Sequence, residues 1–212
     1  MSGIEKSIMN KDKRLSHTFY TSTNVVQIAK DLLGKVLCTN FDGLRTEAII
    51  SETEAYAGIT DKASHAFGGR RSSRTEIMYW QGGCAYIYLC YGMYSLFNVV
   101  TNVEDVPHAV LIRGAVPLSG MEFMLQRSGK KKLTPDLLVG PGKLSKALGI
   151  HYSQTGMSLS ENTIWIEDRG ILVSQKSIVA TPRIGVDYAE EDAALPYRFV
   201  ASDLQKKTKK NS

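Results

Sequence analysis

In the stretch ISETEAY, Glu52, Glu54 and Tyr56 alternate with Thr53 and Ala55. Side chains two apart share one face of an extended strand, so both carboxylates and the phenol point the same way. A carboxylate held in a cleft can orient and deprotonate a water. Paired acids also serve O-glycoside hydrolysis, where they flank the scissile bond. Glu52 and Glu54 would lie about 7 Å apart along a strand, but on one face rather than on opposite sides of a sugar, so an ordinary glycosidase is the less natural reading. An edge strand with solvated glutamates would carry the same pattern.

Further polar residues sit where apolar ones dominate. Arg113 interrupts AVLIRGAV, and an arginine in a buried strand needs a carboxylate partner, with Glu54 or Glu52 the candidates. A carboxylate anchored in that way stays ionised, as a base must. Asn98 interrupts FNVV, and its amide could read hydrogen-bonding edges. Both could equally form an internal network that stiffens a sheet. In YIYLCYGMYSLFN, Tyr86 and Tyr88 share a strand face, and Tyr91 precedes Gly92 at a bend. Such rings stack on flat ligands or fill a core.

His65, in DKASHAFGG, has no second histidine nearby, which argues against a histidine metal centre and leaves a hydrogen-bonding role. The loop GGRRSSR brings Arg70, Arg71 and Arg74 around two serines, a composition that can hold phosphates or form an ordinary exposed loop. Lys143, in GPGKLSK, lies near a helix start that favours anions, although P-loop spacing is absent. No serine lies in a G-x-S-x-G nucleophile elbow.

The elements that must position these groups follow from periodicity. Asn24 with Gln27 reads as a capping box opening the helix VVQIAKDLL, closed by Gly34. Strands are expected over 35–39 and 45–56, joined by the turn Asn40-Phe41-Asp42-Gly43. Residues 57–74 read as a loop with a short helix after Thr60-Asp61, followed by strands over 84–89, from the bend to Val100, and over 109–116. Helices are expected from Leu118 and after Pro141-Gly142; TIWIED and GILVSQ would form a hairpin across Asp168-Arg169-Gly170, with RIGVDY a further element. Hairpins recur without βα alternation, which predicts an α+β fold: a single domain on an antiparallel sheet with flanking helices.

The chain has 212 residues, 43% of them hydrophobic, enough for one substantial core. No apolar run of about eighteen residues is present, so no membrane partner is expected. The start lacks the apolar middle of a secretory signal, and Cys38, Cys84 and Cys90 show no CxxC spacing. A reducing, cytoplasmic setting follows (nucleoid-associated in a bacterium, nuclear in a eukaryote), without metal or other cofactor. Lysine and arginine exceed the acids by 26 to 21, giving +5. Part of that excess lies in Lys130-Lys131-Lys132 and the tail QKKTKKNS, so charge alone argues only weakly for a polyanion. The expected organisation is a disordered terminus over 1–14, one domain over 15–202 and a basic tail over 203–212.

Together these features describe an enzyme acting on one base extruded from nucleic acid, with strand tyrosines as a stacking pocket and Tyr91 as a wedge. The chain resembles the alkyladenine (3-methyladenine) DNA glycosylases from about residue 19 to residue 199. The resemblance rests on ETEAY, SHAFGGR, YIYLCYGMYSLFN, VLIRGAVPLSG, GPGKLSKAL and RIGVDYAEEDAALPYRF. The segment VVTNVEDVPHAV departs from the mammalian pattern, and the short N-terminus and lysine tail look like those of a compact bacterial member.

The resemblance implies a curved antiparallel sheet, no metal, and a monofunctional enzyme that acts as a monomer on double-stranded DNA containing damaged purines. It implies that Glu54 activates water and that Arg113 positions water and carboxylate. Tyr56, His65 and Tyr88 would stack around the flipped base, with His65 also hydrogen-bonding it. Asn98 would discourage guanine, and Tyr91 would intercalate. Arg70, Arg71, Arg74 and Lys143 are the candidates for backbone contacts. The rival reading is a catalytically silent DNA- or RNA-binding protein, which would have no need for Glu54 together with Arg113.

Overall fold

Strand-forming stretches with two different faces can close a core only by turning their apolar sides toward one another or toward helices. A computed structural model of the chain describes residues 13–205. Residues 1–12 of the expected disordered terminus and residues 206–212 of the basic tail lie outside them, whereas Lys13 and Arg14 are placed against a strand. The strands are β1 (Val36–Phe41), β2 (Leu44–Tyr56), β3 (Ala85–Cys90), β4 (Tyr94–Thr101), β5 (His108–Ser119), β6 (Ile164–Glu167), β7 (Ile178–Thr181) and β8 (Arg198–Ala201). They form a curled antiparallel sheet in the order β3-β4-β5-β2-β1-β6, with β8 on β2 and β7 on β8. Helices α1 (His17–Tyr20), α2 (Val25–Asp31), α3 (Met121–Ser128) and α4 (Pro141–Leu148) complete the α+β domain that the hairpin pattern predicted.

The sheet's two faces are sorted by period two. On β3 and β4, Ala85, Ile87, Phe97 and Val99 enter the main core, which α2, α3 and α4 cover. Tyr86 and Val100 face the other way into a second apolar cluster with Met78 and Tyr79, and Tyr88 packs against it. The long β2 is bordered by β5 on one edge, and by β1 and then β8 on the other. Its register with β5 shifts between Ile50 and Thr53, leaving Ser51 and Arg113 without a Cα partner. That irregularity reverses the strand's faces: Ala48 and Ile50 point into the core before it, Ala55 after it. Uninterrupted alternation would have carried Glu52 and Glu54 into the apolar core. The bulge turns both away.

The local signals held in part. Asn24 Oδ1 accepts from Gln27 N–H (3.0 Å), but the Gln27 amide donates to Asp31 (2.8 Å) instead of returning to the cap, so the reciprocal box is absent. The strand at Leu118 continues to Ser119, and α3 starts only after Gly120. GILVSQ is not a strand. Arg169 ties the connecting turn to Glu47 (2.8 Å) and Glu167 (2.7 Å), and the outer edge of β6 is taken by Lys13 and Leu15 through Asp168 N–H to Lys13 O (2.6 Å) and Leu15 N–H to Ile166 O (2.9 Å). Ile171 and Val173 still pack inward. RIGVDY runs through loop into a 3₁₀ segment, Asp187–Ala194, and the short helix after Thr60-Asp61 is instead a 3₁₀ turn over Gly58–Thr60.

Ile112 of β5 is fully buried in the main core. Ile112→Ala should cost about 2–5 kcal/mol, measured as a lowered urea midpoint at unchanged m-value.

Candidate active site

Glu54 is flanked in the sheet by Leu111 of β5 and Arg198 of β8. Its exposure is 0%. Three groups hold the carboxylate: Ile184 N–H donates to Oε1 (2.9 Å), Tyr56 O–H donates to Oε2 (2.8 Å), and Arg113 Nη1 lies 3.4 Å from Oε1. Burial pushes its pKa above the ordinary carboxylate value; Arg113, the Ile184 N–H and the Tyr56 hydroxyl oppose that rise, and Glu52 adds to it. Arg113 does not choose between its expected partners. Its Nε donates to Glu52 Oε1 (3.1 Å) while Nη1 faces Glu54. The solvated edge strand is ruled out: Glu52, too, is buried.

Tyr56, Arg113 and Ile184, the groups on Glu54, all line a cavity of about 230 Å³. His65, Tyr86, Tyr88 and Asn98 form other parts of its wall, and Tyr91 reaches its edge. The cavity therefore gathers Tyr56, His65, Tyr88, Tyr91, Asn98 and Arg113 from four separate stretches of sequence. His65 Nδ1 lies 2.8 Å from the Tyr86 hydroxyl, and its ring meets Tyr88 edge-on with centroids 4.6 Å apart. Arg74 Nη2 lies 3.4 Å from Nε2. Arginine can only donate, so this contact selects the tautomer protonated at Nδ1. Burial, then Arg74 and Arg70, push the His65 pKa down to about 4, so the imidazole is neutral near pH 7. Asn98 spends its amide N–H groups on the carbonyls of Tyr86 (3.1 Å) and Leu96 (3.2 Å), which pins the side chain in place.

At the tip of the β3–β4 hairpin Tyr91 is 88% exposed and adopts φ 51°, a backbone conformation unfavourable for a bulky residue. An exposed ring kept at a strained apex is available for contact outside the fold. Beside it, Tyr91, Tyr94, Val139 and Pro141 line a more open groove of about 320 Å³ that Lys143 borders from the first turn of α4. Lys143 also reaches Asp136 (2.8 Å). The basic loop divides. Arg70 is exposed and makes no ion pair among the described residues. Arg74 lies over the Tyr88 ring (5.1 Å to the centroid). Arg71 is already engaged, with Glu76 (2.7 Å), Asp105 (2.7 Å) and the Tyr79 face, so it contributes to holding the loop rather than offering a free guanidinium.

Three further participants escaped the sequence reading, all within RIGVDYAEEDAALPYRF. Arg183 forms a fully buried pair with Asp61 (2.5 Å), donates to Ala55 O, and covers the Tyr56 ring at 4.9 Å. It thereby clamps the segment whose Ile184 N–H reaches Glu54. Tyr188 lines the cavity mouth with its hydroxyl on Ala63 O (3.2 Å). Arg198 reaches Glu52 Oε1 (2.7 Å). A lone arginine in a loop or at a strand start carries no sequence signal for burial, because only the fold brings its carboxylate near. Among the described residues no cluster of three histidine, cysteine or acidic side chains is placed to hold a metal, and no helix is long and apolar enough to cross a membrane.

A family model described as Methylpurine-DNA glycosylase (MPG) matches residues 18–205. Curated bacterial proteins that carry the provisional name 3-methyladenine DNA glycosylase are similar along most of their length. That of Chlamydia pneumoniae is 45% identical over 189 residues, 89% of this chain and 95% of the relative. That of Desulfitobacterium hafniense is 42% identical over 200 residues, 91% and 97% of the two chains. That of Clostridium perfringens is 42% identical over 205 residues, 93% and 100%.

The state of His65 can be read directly. Its imidazole nitrogens should remain in the neutral Nδ1-protonated form by NMR from pH 8 to pH 5, titrating near pH 4. Arg74→Gln should raise that value, since a nearby positive charge is removed.

Proposed function

Because the chain belongs to the methylpurine-DNA glycosylase family, hydrolases of N-glycosyl bonds in DNA, we propose that it flips alkylated or deaminated purines from duplex DNA and releases them by attack of an activated water. The class of lesions comprises 3-methyladenine, 7-methylguanine, hypoxanthine and ethenoadenine, and the products are the free base and an abasic site. One observation carries this reading: every group that touches the buried Glu54 carboxylate also walls a cavity lined with tyrosines.

In this reading the damaged base enters between the rings of Tyr56, Tyr88 and His65, while Tyr91 fills the gap left in the duplex. Alkylation at N3 or N7 leaves the purine cationic, which favours stacking on electron-rich phenols and makes it a good leaving group. Glu54 takes a proton from water as the water oxygen bonds to C1′ of the sugar. The N-glycosidic electron pair leaves with the base and neutralises an alkylated one. Arg113, shared between two carboxylates, orients the base and its water. His65, neutral at working pH, acts as a hydrogen-bonding wall rather than as an acid. The pinned Asn98 amide puts fixed bulk where the exocyclic amino group of guanine would sit. Arg70, Arg74 and Lys143 are the candidates for phosphate contacts, with the monomer as the working unit.

The test is single-turnover excision from duplexes carrying hypoxanthine, ethenoadenine or methylated purines, with alkali revealing abasic sites. Glu54→Gln should lower the rate at least about 100-fold while retaining affinity for the duplex. Wild-type protein that binds these duplexes tightly but releases no base would be a silent binder. The wild-type rate should fall in acid with a midpoint above the ordinary glutamate range, because the folded carboxyl has a raised pKa. The same shift sets the sign for stability. A carboxyl raised on folding contributes most below its unfolded pKa and loses that contribution as pH rises through the folded value. Glu54→Gln should therefore melt no lower than wild type at pH 7.5, by calorimetry.

A further inference from the structure

Glu52 receives two guanidinium groups on one carboxylate oxygen. Arg113 Nε lies 3.1 Å and Arg198 Nε 2.7 Å from the same Oε1. Arg198 is steadied by a further bond from Nη1 to Thr181 Oγ1 (3.1 Å) on β7. Arg198, Glu52, Arg113 and Glu54 thus form a row of alternating charge across β8, β2 and β5. It runs from a side chain 23% exposed to one with no exposure. Two cations balance two anions, so the row as a whole is neutral.

Arginine's fork can pair bidentately with a single carboxylate, and such a pair would leave Glu54 ionised but poorly basic. Here the fork is split. Nε is turned to Glu52, and the approach to Glu54 is by Nη1, at the longer distance of 3.4 Å. We infer that Glu52 and Arg198 are positioning residues: Glu52 holds the Arg113 guanidinium back from closing on Glu54, and Arg198 limits how strongly Glu52 pulls. The inference rests on the reading of Glu54 as the water-activating base. The other ionisable groups facing Glu54 are Tyr56 from its own strand, and Arg183 and Tyr188 from the segment after β7. Arg183 is already balanced by Asp61. The adjustable charge therefore lies in the row.

The two ends of the row act in opposite directions. Removing the Glu52 charge takes away a repulsion from Glu54 and frees Arg113 to close on it, so the carboxyl should become more acidic. Removing the Arg198 charge leaves Glu52 more negative and draws Arg113 away, so the carboxyl should become less acidic. A role limited to holding the strands together predicts no such opposition.

The experiment is the pH profile of single-turnover base release from duplex DNA methylated at purines, for wild type, Glu52→Gln, Arg198→Gln and the double variant. A cationic leaving group needs no acid, so the acid limb reports the base alone. The limb should move to lower pH in Glu52→Gln and to higher pH in Arg198→Gln, each by about half a unit or more, and return toward wild type in the double variant. A uniform loss of rate with an unmoved limb, or movement in the same direction in both single variants, would overturn the inference. Melting curves and duplex affinity are recorded for each variant. Should Glu52→Gln fail to fold, the partly exposed Arg198→Gln still has to show the upward shift. Full activity of Glu54→Gln, or a wild-type profile with no acid limb, would remove the underlying reading and the inference with it, and Glu54→Gln run alongside separates this from failure of the row alone.

Discussion

A carboxylate with no exposure to water is the constraint around which this fold is arranged. Taking one ion out of water costs several kcal/mol even after relaxation, and fixed partners offset only part of that cost for Glu54, whose pKa stays above the ordinary carboxylate value. A backbone N–H, a phenol and a shared arginine supply them, from three different segments. None can move far without leaving the charge uncompensated. The partners in turn need their own support: Arg113 is held by Glu52, Glu52 by Arg198, and the Ile184 segment by the buried Arg183–Asp61 pair. Apolar packing holds the face of the sheet that the helices cover, whereas the surroundings of Glu54 are held by charge.

The bulge on β2 is what makes that arrangement compatible with a core. Before it, the inward face of β2 is apolar and meets the helices; after it, the same face is taken by Thr53 and Ala55, with Thr53 donating to Ala29 O of α2 (2.7 Å). One unpaired residue on each of two strands thereby turns a glutamate pair that alternation would bury in hydrocarbon toward Arg113, Tyr56 and Ile184, which wall an aromatic cavity. Irregular pairing costs ladder hydrogen bonds, so its persistence in the middle of the longest strand reflects the gain from pairing these charges.

Around the cavity, rigidity and exposure are divided between neighbours. His65, Tyr86, Tyr88 and Asn98 are locked by mutual hydrogen bonds and edge contacts, which suits selection by shape. Tyr91, a few residues away on the hairpin tip, is left bare and strained. In the proposed function a wall that must discriminate is preorganised, whereas a side chain that would enter a duplex needs only to be available.

The sequence by itself determined the fold class and much of the membership of the site. Period-two alternation put Tyr86 with Tyr88 and Glu52 with Glu54, and turn chemistry between strands pointed to an antiparallel sheet, because these are local properties of a chain. The ordered motifs carried the family. GILVSQ shows the limit of local signals: it alternates like a strand, yet the edge it would need is occupied by residues 13–15. Only the tertiary structure decided which way Glu54 faces, that Arg113 is shared by two acids, and that Arg71 is spent on Glu76 and Asp105. It also brought Arg183 and Arg198 to carboxylates more than a hundred residues away in the chain. The reason is physical. The partner of a buried charge and the position of a bulge depend on which strands become neighbours, and neighbourhood is a property of the closed sheet rather than of any segment within it.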